Sequence, residues 1–136
     1  MKDDRLPGIW SCPSFSFPDH QEVLVYNDSL DRIVVFVTME TDPPKRVAMK
    51  LWCNLLSSGR LETRVKPGTS DSKKTDYSIE GNLITLDTGS SRQICRRLSP
   101  SEVPAWLETE LAKAYEAMDQ KEAEQVRPAN PATRDG

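Results

Sequence analysis

Several ingredients of common active sites are scarce in this chain of 136 residues. It has one histidine, His20, so a multi-histidine metal site is excluded and any triad would have to use that residue. Its three cysteines, Cys12, Cys53 and Cys95, stand far apart. None has the two-residue gap of a zinc or redox motif. The six glycines are scattered among turns, which leaves no glycine-rich phosphate loop. A net charge of −3 gives no overall attraction to nucleic acid or an anionic membrane. No apolar run approaches the roughly 20 residues that span a bilayer. The opening Met1-Lys2-Asp3-Asp4-Arg5 lacks the apolar core of a secretory signal. The expectation is a cytoplasmic chain, unless a signal has been removed.

What is present is alternation. The stretch Arg46 to Val65 runs Val47, Met49, Leu51, Cys53, Leu55, turns at Ser57, Ser58 and Gly59, and returns as Leu61, Thr63, Val65. Period two places these side chains on one face of a hairpin and Arg60, Glu62 and Arg64 on the other. Before it, Ile9 to Cys12, Glu22 to Tyr26 and Ile33 to Met39 read as strands. The run Ile33 to Val37 is apolar without alternation, which predicts cover on both faces. After it, Thr75 to Glu80 faces Leu83 to Thr88 across Gly81-Asn82, a two-residue turn with both positions at positive φ. Pairing Glu80 with Leu83 brings Tyr77, Ile79, Ile84 and Leu86 to one face. Arg92 to Leu98 is the last strand, with Ile94, Arg96 and Leu98 sharing a side.

A helix follows. Ser99 is an N-cap, Pro100 suits the first helical position and Glu102 completes a capping box; Pro104 costs an early helical bond, and a start at Ser101 is the alternative. Val103, Trp106, Leu107, Leu111, Ala114, Tyr115 and Met118 recur at helical spacing to about Gln120. This stripe is expected to lie on the outer face of the third strand. Residues 1–125 read as one domain, and the polar tail 126–136 is expected to be disordered. About eight strands with short links, all antiparallel neighbours, predict a mainly β, up-and-down barrel closed by the first and last strands; a two-sheet sandwich is the competing arrangement.

Gly8, Ile9 and Trp10 match the glycine-any-tryptophan signature on the first strand of lipocalins and their calycin relatives, and the chain resembles that family in layout from Leu6 to Gln120. The resemblance implies that Trp10 packs at the closed end of the barrel under an arginine of the last strand. Arg96 or Arg97 stands where that arginine should be, and Arg96 is preferred because it shares a face with Ile94 and Leu98. The resemblance further implies a binding protein for a small hydrophobic or amphipathic ligand, lined by Val23, Val25, Met49, Leu51, Tyr77, Ile79 and Leu86, with Tyr77 as a polar handle.

For the cysteines two readings stay open: buried small hydrophobes in a reducing compartment, or a Cys12–Cys95 bond between neighbouring strands. Cys12 or Cys53 with His20 is the only nucleophile–base pair the composition allows, and both cysteines sit on predicted inward faces, which makes them inert. Carboxylates fall on outward faces (Glu62, Glu80, Asp87) or on the helix (Glu108, Glu110, Glu116), with no converging pair. Phe15 and Phe17 cover an end of the core or line a pocket mouth. Arg60, Arg64 and Lys66, with Lys73 and Lys74, form a basic strip without the interleaved aromatics that single-stranded nucleic acid needs. No enzyme activity, cofactor or metal is expected. The alternative function is a protein-interaction module with a filled barrel, using that strip, the Trp106/Tyr115 side of the helix or a free sheet edge.

Overall fold

A computed structural model describes residues 3–13, 21–39, 43, 45–67 and 71–126. Eight strands follow one another: β1 (Gly8–Pro13), β2 (Gln21–Tyr26), β3 (Arg32–Met39), β4 (Lys45–Ser57), β5 (Arg60–Arg64), β6 (Lys73–Glu80), β7 (Leu83–Asp87) and β8 (Arg92–Arg97). Each is hydrogen-bonded antiparallel to the next, and β1 pairs with β8, so the sheet is a closed barrel. Closure is the physical answer to two exposed edges. After β8 come a 3₁₀ turn at Pro100–Glu102 and the helix α1 (Leu107–Val126). Among the described residues no helix is long and apolar enough to cross a membrane. His20, Phe15, Phe17 and the tail from Arg127 lie outside the described residues.

The hairpin registers follow the side-chain pattern. Glu80 pairs with Leu83, Ile79 with Ile84 and Tyr77 with Leu86, which brings all four predicted residues onto the inner face. In the turn between them only Gly81 takes a positive φ, +61°. One left-handed residue at the first central position is the demand of a type II′ turn, not of the type I′ turn that Gly-Asn suggests. In the β4–β5 hairpin Cys53, Leu55 and Leu61 are buried. Val47, Met49 and Val65, farther out on the same alternation, are exposed, because β4 runs on past the end of β5.

Two apolar clusters divide the core. The inner one fills the lower barrel with Leu6, Trp10, Leu30, Ile33, Leu55, Leu61 and Ile84 among others. Leu30 is held at a φ of +54°, uncommon for a side chain of its kind. It is buried in that cluster, and the Asn27 side-chain oxygen accepts the amides of Asp31 and Arg32 at 3.1 Å each. The outer cluster joins Val25, Val34 and Phe36 to Leu107, Ala114 and Met118 of α1. Thus β3 is apolar on both faces because the helix covers the outer one. Trp106 stands edge-on to Phe36 at 5.3 Å, with the Arg46 guanidinium 3.7 Å above its ring. Farther along, Glu122 accepts from Arg32 at 2.6 Å and from the Trp52 indole at 2.7 Å.

The helix start differs from the sequence expectation. The Glu102 carboxylate accepts from the Ser99 amide and hydroxyl at 2.9 and 3.0 Å, but the box caps only the single 3₁₀ turn. Pro104 interrupts the ladder, and α1 begins at Leu107, with the Leu107 amide donating to the Pro104 carbonyl.

Candidate functional site

The strand directions give the barrel two different ends. At one end lie the turns between β2 and β3, β4 and β5, and β6 and β7, together with the segment before β1. Here Trp10 is fully buried and its indole donates to the Leu6 carbonyl at 3.1 Å. Arg97 lies over the Trp10 ring, its guanidinium carbon 4.2 Å from the centroid. It also donates to the Pro7 carbonyl at 2.9 Å and to the Arg5 carbonyl. The first-strand glycine has a physical reason: a Cβ on Gly8 would stand 2.2 Å from the Arg97 guanidinium, and φ there is +143°.

The expectation for the arginine is corrected here. Arg96 is exposed and pairs with Glu102 at 2.9 Å; Arg97 is the residue on the indole. The inner face of β8 consists of the buried Gln93 and Cys95 with Arg97, and Ile94 is 54% exposed. Trp10 opposite Arg97 sets this phase, and two residues farther along Cys12 is bonded to Cys95. The cysteine question therefore resolves as one bond across the β1–β8 seam and one free, buried thiol, Cys53.

A second group completes the floor. Asp3, nearly buried, accepts from the Tyr77 hydroxyl at 2.7 Å and from the Arg5 side chain at 3.1 Å. The Arg5 hydrogen bond, aided by Tyr77, holds the Asp3 carboxyl down at about 2, and burial beside Asp3 pushes the Tyr77 hydroxyl up. A depressed carboxylate stabilises the fold above its ordinary pKa of 3.8; that contribution fades as pH falls toward about 2.

Above the floor the barrel is open. A cavity of about 690 Å³ lies inside it, within the range of small-molecule sites. Leu24 and Tyr26 from β2, Ile33 and Val35 from β3, and Met49 and Leu51 from β4 line one side. Thr63, Thr75, Leu86 and Gln93 line the other, and Glu22, Lys73, Thr88, Ser90 and Ser91 stand at the mouth. A smaller space of about 320 Å³, sharing Met49, Leu51, Thr63 and Lys73, adjoins it where β4 outruns β5.

Of the residues expected on the lining, Met49, Leu51 and Leu86 are there. Tyr77 and Ile79 belong to the inner core, with Tyr77 serving the floor through Asp3. Val23 and Val25 are on the opposite face, in the cluster under the helix. Strand β2 is apolar on both faces, so its hydrophobicity carries no phase; its inward set is Glu22, Leu24 and Tyr26. The polar lining at Thr63, Thr75 and Gln93 has a sequence signal only in the alternation of strands whose phase is already known.

Burial raises the Tyr26 hydroxyl far above its ordinary value, and among the described residues no hydrogen bond reaches it. The Cys53 thiol donates to the Leu30 carbonyl at 3.2 Å. Burial first, then the Asp31 charge, push it up to about 12. It is therefore protonated at neutral pH, and Cys12 is bonded, so neither is a poised nucleophile. Among the described residues no three His, Cys, Asp or Glu side chains gather as a metal ion requires. Fold and site together define an eight-stranded antiparallel barrel, closed at one end and hollow at the other. No family model matches the chain, and no curated protein or solved structure matches it significantly.

Proposed function

We propose that this protein is a lipocalin-like, non-enzymatic carrier of a small hydrophobic or amphipathic molecule. The observation that carries the reading is the 690 Å³ cavity set above a sealed, tryptophan-plugged floor. Apolar walls with a few placed polar groups are the usual lining of a small-molecule site. The glycine-any-tryptophan motif with Arg97 across the indole supports kinship with the calycins. The inert state of Cys12 and Cys53 supports binding over catalysis. The Cys12–Cys95 bond favours an oxidising compartment over the cytoplasm that the N-terminus suggested.

The interaction-module reading has weaker support. The Trp106/Tyr115 stripe packs on the barrel, the first and last strands are joined so that the sheet closes, and Arg60 and Arg64 pair with Asp76 and Glu62.

The test is titration of the full chain with an environment-sensitive naphthalene sulfonate, beside a Leu51→Trp variant. Saturable one-to-one binding is expected for the native chain. The added ring should weaken it at least tenfold while leaving the circular dichroism unchanged. Equal, non-saturating signals from both proteins would exclude a ligand in the barrel.

A further inference from the structure

The cavity wall is divided lengthwise, and the division narrows the kind of ligand. On β2, β3 and β4 the one charged inward residue, Glu22, stands at the mouth, and the inward residues below the mouth are Leu24, Tyr26, Ile33, Val35, Met49 and Leu51. They are contiguous across the sheet: Leu24 pairs with Val35, Val35 with Met49 and Ile33 with Leu51. On β5 to β8, and in the segments joining them, the lining carries Thr63, Lys73, Thr75, Thr88, Ser91 and Gln93, with Leu61 and Leu86 as the apolar members. These too are neighbours: Thr63 pairs with Lys73, Leu61 with Thr75 and Leu86 with Gln93. Gln93 is only 8% exposed, so polar groups continue below the rim. At the edge of the apolar half, Tyr26 lines the cavity, is 4% exposed and has a hydroxyl with no hydrogen bond among the described residues. Buried hydroxyls are nearly always paired, so this one suits a ligand acceptor.

A straight-chain fatty acid matches a different design, apolar all round with one polar group at the mouth. Its methylenes would lie against the Thr63 and Thr75 hydroxyls and shut them off from water, which is costly. Resting on the carrier reading above, we propose that the cavity takes a facially amphiphilic ring compound. Its apolar face lies on β2 to β4, and hydroxyl or carbonyl groups on its other face meet β5 to β8.

The experiment uses the full chain and two probes, cholate below its micellar concentration and oleate, each displacing the naphthalene sulfonate. Cholate, with hydroxyls on one face of a fused ring system, should bind tighter than oleate. A Thr63→Val/Thr75→Val double variant, which keeps side-chain shape and removes two hydroxyls, should lose cholate affinity at least tenfold and hold or gain oleate affinity. Tyr26→Phe should weaken cholate alone, and it stands in if the double variant fails to fold. Tighter oleate binding, or equal effects of the variants on both probes, overturns the facial-amphiphile inference and leaves the carrier reading intact. Saturable naphthalene sulfonate binding that neither probe displaces does the same. Absence of saturable binding by any of the three overturns both.

Discussion

Arg96 and Arg97 are adjacent in sequence and opposite in consequence. Arg97 lies over a buried indole and donates to two backbone carbonyls, so its guanidinium is fixed by protein partners. Arg96 pairs with Glu102 in solvent, where Coulomb attraction is screened and side-chain entropy opposes it. Replacing Arg97 with Met is expected to cost about 2 kcal/mol, from the lost cation–π contact and the part-buried Pro7 carbonyl left without its donor. Arg96→Met should leave the denaturant midpoint unchanged within error. Urea melts of the two variants side by side decide the assignment, and equal midpoints would refute it. Alternation alone cannot make this choice. It states that the two arginines face opposite ways, and the apolar Ile94 points to the wrong one. Only the position of Trp10 across the seam supplies the phase.

Among the elements, α1 and β2 show how far pattern reading reaches. The helical stripe is legible because apolar residues recur every 3.6 positions while Glu108, Lys113 and Glu116 take the other face; its partner is legible because β3 is apolar without a break from Ile33 to Val37. Met118, fully buried between helix and barrel, is the residue through which that packing is best tested. Met118→Ala is expected to destabilise by about 2–5 kcal/mol through lost burial and a residual cavity. Hydrogen exchange should rise first in α1, with the β5–β8 amides unaffected. Strand β2 was legible as a strand and illegible as to facing. Valines alternate with Leu24 and Tyr26, and both sets pack on apolar neighbours, Val25 buried and Val23 half-buried in the cluster of the helix, Leu24 and Tyr26 inside the barrel. The helix boundary departs from the local pattern for a different reason. The capping box is real, but Pro104 follows it too closely for an α-helical turn to propagate.

At the scale of the whole molecule, closure depends on a short seam. Among the described residues two pairs, Trp10–Arg97 and Ser11–Arg96, join β1 to β8, with the Leu98 amide donating to the Ile9 carbonyl at 2.9 Å. The Cys12–Cys95 bond, 83 residues apart in sequence, clamps it. In the chain-entropy account a loop of that length is worth about 4.5 kcal/mol. The Cys12→Ser/Cys95→Ser variant, or the reduced native chain, is therefore expected to lose about that much in urea melts. Amide exchange should rise first in β1 and β8. A loss under about 1 kcal/mol would mean that the pairing and the Trp10–Arg97 contact suffice to hold the barrel shut.

The order of strands, the β6–β7 register and the existence of an amphipathic helix were determined by the sequence itself, because each depends on residues close along the chain. Turn chemistry and period-two or 3.6 alternation act over ten or twenty positions. Which arginine meets the indole, which face of β2 looks inward, whether Cys12 finds Cys95, and how much space stays open above the floor were decided by the tertiary structure. Each is a relation between strands brought together only when the sheet closes. A strand whose two faces are equally apolar, or a cysteine that can stay free or pair, carries no local signal of which neighbour it will have.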